Sequence, residues 1–244
     1  MQTDNLFSEL ASDIEAFQFD ARVTAVFADM IRRSVPGYAS VIAMTGVIAA
    51  ETVQANSRVY DLGCSLGTGL MSVHDKINTP CALIGVDNAE AMITSCHENL
   101  RSLSAKPQIQ ITLRCEDISE TEIQNASMVI MNYTLQFIAP EKRFALLQKI
   151  YAGMKPGGVI LLSEKLRFDC EKTEATLTKL YYDFKKHNGY SELEISQKRQ
   201  ALENILIPET EQTHLNRLQA AGFERAISWF QCFNFHSFIA YKPE

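Results

Sequence analysis

Residues Val59 to Val73 read VYDLGCSLGTGLMSV, and the reading of this stretch decides the fold. A short apolar run ends at Asp61 and Leu62, a loop carrying Gly63, Gly67 and Gly69 follows, and a helix-like pattern resumes at Leu70. A strand that feeds a glycine loop and then a helix brings backbone amides close to a ligand at the helix N-terminus. The dinucleotide fingerprint G-x-G-x-x-G is not met, because these glycines are spaced by four and two. The ligand has to be read from the residues around the loop.

Outward from the loop, strand-like and helix-like runs alternate. RVYDL (58–62), CALIGVD (81–87), QIQITLRCE (108–116), SMVIMN (127–132) and GVILLSE (158–164) read as five strands. Several are nearly continuous in apolar residues, as strands buried on both faces require. Between them, Met92, Ile93, Cys96, Leu100 and Leu103 mark one helical stripe, and Phe144, Leu147, Ile150 and Tyr151 another. The expected fold is α/β, a doubly wound and mostly parallel sheet. MKPGG (154–158) reads as a helix end, a Pro-Gly turn and a strand start. FERAISWFQCFNFHSFIAYK (223–242) reads as a pair of C-terminal strands with a tight connection, hence an antiparallel edge.

Two helical additions frame this sheet within a single domain expected to span 1–244. From Leu166 to about Glu209 the strand rhythm stops, and stripes such as Leu177, Leu180, Tyr181 and Phe184 predict a helical cap insertion over about 166–209. An N-terminal helical lid is expected over about 1–57. Within it, Ser34 to Ala50 carries no charge over 17 residues and reads as a loop feeding a buried helix.

Composition narrows the partners. With 46% apolar residues in 244, one full core is available without staples. Lys plus Arg number 23 against 29 Asp plus Glu, a net charge of -6. A protein that grips nucleic acid usually presents a basic face, so small molecules are the expected partners. The pairs Arg32-Arg33 and Lys185-Lys186 read as solvated helix surface. The six cysteines form no C-x-x-C pair and the five histidines no H-x-x-x-H pair, so no metal site is expected. The first residues lack the basic start and apolar core of a signal peptide, and the uncharged stretch, broken by Pro36 and two glycines, falls short of a membrane span. A cytoplasmic location with free thiols and no membrane contact is the expectation.

The ends of the first four strands carry the candidate site. Asp61-x-Gly63-x-Ser65-x-Gly67 matches the E/D-x-G-x-G-x-G loop of class I S-adenosylmethionine enzymes, with serine at the middle glycine. An acid two residues before the first glycine suits a sulfonium cofactor that carries an ammonium group, a cation NAD does not offer. Asp87 lies 24 residues past Gly63 at the end of the second strand, where a carboxylate can accept both ribose hydroxyls. Asp117 and Ile118 follow the third strand as an acid and an apolar wall for adenine. Asn132 closes the fourth, over the sulfonium end of the pocket. Singly these are common turn formers and helix caps; in this order along one sheet edge they predict an S-adenosylmethionine site.

Further segments carry a more specific likeness. RSVPGY (33–38), YDLGCSLG (60–67), GVDNAEAMI (85–93), LEISQKR (193–199), ALENIL (201–206) and WFQCFNF (229–235) strongly resemble the bacterial carboxy-S-adenosyl-L-methionine synthase family. The similarity runs through nearly the whole chain. The glycine loop is shared with all class I methyltransferases, whereas the Pro-Gly-Tyr, Gln-Lys-Arg and Trp-Phe-Gln-Cys-Phe-Asn-Phe segments are far more specific. The resemblance implies cofactor contacts from Tyr38, Gly63, Cys64, Ser65, Asp87, Asn88, Asp117, Ile118 and Asn132, and a product-carboxylate anchor at Arg199. It implies a reaction in which S-adenosylmethionine and prephenate become carboxy-S-adenosylmethionine and phenylpyruvate. The product then passes to a separate tRNA enzyme that builds 5-oxyacetyl uridine at the wobble position.

The chemistry constrains the roles. A sulfonium methyl is far too weak an acid for a side chain titrating near neutrality, and no His, Asp or Glu stands out as a specialised base. In the mechanism proposed for the family the proton goes to hydroxide released as the prephenate ring becomes aromatic. The protein is left to supply enclosure, orientation and a cation. Arg199 is the expected catalytic cation, because a guanidinium pairs bidentately with a carboxylate. Two other readings share the cofactor residues: a methyltransferase acting on a small molecule, which has no use for that cation, and a non-catalytic S-adenosylmethionine-binding protein. The uncharged helix and the cap offer more apolar surface than a lone sheet needs, so a homodimer is expected, with the cap near the interface; the resemblance points the same way.

Overall fold

The computed structural model describes residues 2–10, 14 and 16–244; the remaining positions of the expected lid lie outside the described residues. Seven strands form one sheet: β1 (Ser57–Leu62), β2 (Cys81–Asp87), β3 (Ile109–Cys115), β4 (Ala126–Asn132), β5 (Met154–Lys165), β6 (Glu224–Cys232) and β7 (Phe235–Tyr241). Their order is β3-β2-β1-β4-β5-β7-β6. The first five run parallel, and β7 lies antiparallel between β5 and β6. The chain works outward from β1 through β2 to β3, then returns to the other side of β1 with β4. That reversal opens a crevice at the carboxyl ends of β1 and β4, where ligands of doubly wound sheets bind.

Among the described residues eight α-helices flank the sheet or form the lid and cap: α1 (Ala21–Ser34), α2 (Tyr38–Thr52), α3 (Thr68–Lys76), α4 (Glu90–Leu100), α5 (Pro140–Gly153), α6 (Glu171–His187), α7 (Glu192–Leu202) and α8 (Glu211–Ala220). The inner strands are apolar on both faces because both are covered, whereas the edge strands β3 and β6 are largely exposed. Tyr60, Val129, Met131, Ile160 and Leu162 pack one way against Leu146, Leu147 and Ile150 of α5 and Leu218 of α8. Their neighbours Val59, Met128, Ile130, Val159 and Leu161 pack the other way against Leu70 and Val73 of α3 and Cys96 of α4. The period of two along each strand decides which core a residue joins.

Three local expectations are corrected. MKPGG belongs to β5 itself: Ala126 pairs with Met154 and Met128 with Val159, so Lys155 to Gly158 bulge opposite Ser127, with Gly157 at φ 71°. The uncharged helix α2 is only half-buried. Val41, Thr45, Gly46 and Ala49 face inward, while Met44 and Val47 are exposed, because α3 covers one side only. The basic pairs are split: Arg33 and Lys185 are buried, Arg32 and Lys186 exposed. Consecutive helical residues point about 100° apart, so two adjacent charges rarely share an environment.

The lid and the cap come from opposite ends of the chain and clasp each other. Arg33 Nε donates to the Asn188 carbonyl at 2.7 Å, and Gln197 Nε2 donates to the carbonyls of Phe7 at 2.9 Å and Glu9 at 2.8 Å. The Phe17 amide donates to the Ala201 carbonyl at 3.1 Å, and the Tyr190 hydroxyl donates to Asp4. Phe17, Val26, Phe27, Met30 and Met92 form an apolar cluster beneath this clasp with Ala201 of α7. Among the described residues no helix is long and apolar enough to cross a membrane.

Candidate functional site

A cavity of about 360 Å³ lies at the carboxyl edge of the sheet, bordered by lid and cap and open to solvent on one side. Tyr38, Asp61, Gly63, Cys64, Ser65, Asp87, Asn88, Asp117, Ile118, Asn132 and Arg199 all line it. Gly67 does not; it caps α3 at φ 82°, and a Cβ there would meet Cys96 Sγ at 2.6 Å. Its place in the motif is conformational.

The glycine loop is held by β2. The amides of Gly63 and Cys64 donate to the Val86 carbonyl at 2.8 and 2.9 Å. Gly63 sits at φ 83°, and a Cβ on it would lie 2.3 Å from Thr134 Oγ1 in the loop after β4. Ser65 adopts φ 53° and its amide donates to Asp87 Oδ2 at 2.9 Å, while the Ala89 amide donates to Asp87 Oδ1 at 3.0 Å. Asp87 thus latches the loop and starts the turn into α4, and each oxygen keeps a lone pair for a further donor. Cys64 is no nucleophile: a hydrogen bond with Cys96 and burial push its thiol far above the ordinary range.

Asp61 is the electrostatic centre. It is 3% exposed, and Gly69 is needed beside it because a Cβ there would lie 2.5 Å from its Oδ2. Burial and the Asp87 charge push its carboxyl up to about 7, against a hydrogen bond from the Leu70 amide. Burial raises Asp87 as well. No ion pair reaches either acid among the described residues. A buried acid and a half-buried one, without a counter-charge in one cavity, fit a cationic ligand, which would favour the ionised form of both. S-adenosylmethionine, with a sulfonium and an ammonium, meets that requirement.

The other residues expected to contact the cofactor line the same cavity. The Tyr38 hydroxyl bonds Thr68 Oγ1 at 2.6 Å, joining the start of α2 to the start of α3, and burial raises its phenol to about 12, so it stays neutral. Asn132 Oδ1 accepts from Ser163 Oγ at 2.8 Å, while its Nδ2 is buried without a partner among the described residues. Hydrogen bonds from the Ser119 hydroxyl and, at 2.7 Å, from the Ser119 amide hold the Asp117 carboxyl below the usual range. Ile118 is 7% exposed and supplies an apolar wall. Arg199, on α7, makes no hydrogen bond or ion pair among the described residues.

Sequence reasoning missed several wall residues. Lys165, Lys185 and Lys198 line the cavity with Tyr133, Tyr181, Tyr182 and Phe235. Lys165 ends β5, so the strand-end rule used for the first four strands would have found it. Also missed was the brace of the loop after β4. Arg143, fully buried, donates to the carbonyls of Ile138 at 2.8 Å, Gln136 at 3.1 Å and Ile207 at 2.9 Å and pairs with Glu209. Glu164 accepts from the amides of Leu135 at 2.9 Å and Gln136 at 2.8 Å. Among the described residues no cluster of metal-ligating side chains occurs.

Comparison with known proteins agrees with this geometry. A family model described as a methyltransferase domain matches residues 59–158. The magnesium protoporphyrin IX methyltransferase of Synechocystis PCC 6803 superimposes with a TM-score of 0.60 at 14% identity, over 87% of both chains. The carboxy-S-adenosyl-L-methionine synthase of Trichlorobacter lovleyi is 53% identical over 99% of each chain. That of Shewanella oneidensis is 49% identical over 98% of each. Fold and site together define the class, an enzyme of the S-adenosylmethionine-dependent methyltransferase type. Within that class the chain belongs to the carboxy-S-adenosyl-L-methionine synthase family.

Proposed function

We propose that the protein transfers the carboxyl group of prephenate to the methyl carbon of S-adenosylmethionine, giving carboxy-S-adenosylmethionine, phenylpyruvate and water. The observation that carries this reading is Arg199, an uncommitted guanidinium in the same cavity as the Asp61–Asp87 pair. A site for methyl donation alone has no need of a cation on the donor's side; a site whose product bears a new carboxylate does. Bound S-adenosylmethionine supplies a methyl carbon activated by its sulfonium. Asp61 and Asp87 favour the cationic ligand, Tyr38 and Asn132 bound its position, and Arg199 provides charge for the carboxylate. The aromatic lid excludes water, which would otherwise compete for any carbon dioxide set free. The product is proposed to serve a separate tRNA-modifying enzyme forming 5-oxyacetyl uridine at the wobble position, with no nucleic acid bound here. A cytoplasmic homodimer is part of the same reading.

Arg199→Leu tests the assignment. The variant is expected to bind S-adenosylmethionine like the parent and to lose affinity selectively for the carboxylated product, by roughly 2 to 5 kcal/mol if the remaining charge stays buried, and by less because Arg199 is exposed in the free protein. Equal losses for both ligands would make Arg199 a support of the general pocket.

A further inference from the structure

We propose that Lys165 and Lys185 anchor a spectator carboxylate of the second substrate, a small anion with a cyclic body, on the aromatic side of the cavity. Lys165 is the last residue of β5 and Lys185 lies in α6; both line the cavity wall. Lys185 is 4% exposed. Neither ammonium has a hydrogen bond or an ion pair among the described residues.

Their company is aromatic. Lys165 Nζ lies 5.0 Å from the Tyr181 ring centre, and Lys185 Nζ lies 5.5 Å from both Tyr181 and Tyr190. Ring faces soften the burial of a cation without neutralising it. Nearby acids are engaged elsewhere: Asp4 with Lys198 at 3.7 Å and Asp29 with Arg32 at 2.6 Å and Arg33 at 3.2 Å. Glu174 accepts from the Phe168 amide at 2.8 Å, and Glu194 closes the N-terminal cap of α7. Buried charges are ordinarily paired. Burial and the neighbouring Lys198 and Lys165 push Lys185 down to about 7, and burial lowers Lys165. An arriving anion would reverse both effects.

The shape of the wall selects the anion. Tyr133, Tyr182 and Phe235 pack in one cluster with Tyr181 and line the same cavity, giving it flat apolar surface suited to a ring. The role follows from chemistry and rests on the proposed carboxyl transfer. A cation on the carboxylate that leaves would stabilise the reactant and oppose loss of carbon dioxide. The lysine pair therefore holds the carboxylate that stays, and Arg199 meets the transferred carboxylate only once it is bonded to the methyl carbon of the product.

The test is phenylpyruvate, which retains the spectator carboxylate, titrated calorimetrically into enzyme saturated with S-adenosylmethionine. Lys185→Met and Lys165→Met are expected to weaken phenylpyruvate at least tenfold and to raise KM for prephenate at least as much, with S-adenosylmethionine affinity kept. Lys185→Arg should recover part of the loss, which separates a charge effect from misfolding. Unchanged phenylpyruvate affinity in both Met variants, a parallel loss of S-adenosylmethionine binding, or no saturable phenylpyruvate binding by the parent would overturn the anchor. A parent that binds phenylpyruvate through these lysines yet never turns over prephenate would sink the functional reading and leave the anchor standing.

Discussion

Asp61 sets the pH behaviour of the site. Its carboxyl lies at about 7 in the folded chain, raised from the ordinary 3.8 by burial and by Asp87. A raised carboxyl contributes stability that is fully present below the unfolded value and is lost as pH rises through about 7. A bound cation favours the ionised form, so ligand binding releases a proton below that value. Affinity for S-adenosylmethionine is therefore expected to rise by up to about tenfold per pH unit from mildly acidic pH and to level off near neutrality, before the ligand's own ammonium titrates. Asp61→Asn should flatten the profile and weaken binding. A calorimetric titration series showing pH-independent affinity in the parent would contradict the role. Asp87, coupled to Asp61, was legible as a strand-end acid. Its latch on the Ser65 amide was not, because backbone at φ 53° on a serine leaves no mark in a motif.

Helices α2 and α3 show how an element's position is decided by one missing side chain. A Cβ on Gly46 would lie 2.5 Å from the Ser72 carbonyl oxygen, and Ser72 Oγ donates to the Ile42 carbonyl at 2.6 Å. Helix propensity alone says that Gly46→Ala stabilises by about 1 kcal/mol. The packing says the opposite, a loss of roughly 1 to 3 kcal/mol from forcing the helices apart. Thermal unfolding decides between them: a lowered Tm is expected, and a raised Tm would mean that α2 is free to move. Strands β1, β2, β4 and β5 were legible because they are buried on both faces, so their apolar runs have no competing explanation; β3, at the edge, was legible from its alternation of apolar and polar residues. The half-exposure of α2 was hidden because its outer face lacks charge. The meeting of RSVPGY with WFQCFNF was also invisible in sequence: a Cβ on Gly37 would fall 2.2 Å from Phe230 Cζ, so two distant segments share one contact.

The whole molecule joins a sheet edge of ordinary class I type, which ends in Lys165, to a cap that adds Lys185, Lys198 and Arg199. Aligned strand ends identified the acids and Asn132. Lys185 and Lys198 escaped because a cap carries no repeat that announces which of its charges turn inward; Lys185 and Lys186 look alike until the helix is placed. The cap and lid leave apolar surface uncovered. Met44 is 40% exposed and Val47 44% on α2, and Leu180 40% on α6. A homodimer is expected to cover part of it. Light scattering at micromolar concentration should give twice the mass of one chain, and Val47→Glu should shift it toward the single-chain value with Tm little changed for the monomer fold. A parent at single-chain mass would contradict this.

Carboxyl transfer itself is tested most directly by following the carbon. Prephenate labelled with a heavy isotope in its ring carboxyl is incubated with the enzyme and S-adenosylmethionine, and the nucleoside product is analysed by mass spectrometry. The account predicts a nucleoside heavier than S-adenosylmethionine by one labelled carbon dioxide, formed in step with phenylpyruvate. Unchanged S-adenosylmethionine, conversion to S-adenosylhomocysteine, or label released as free carbon dioxide with none in the nucleoside would contradict it.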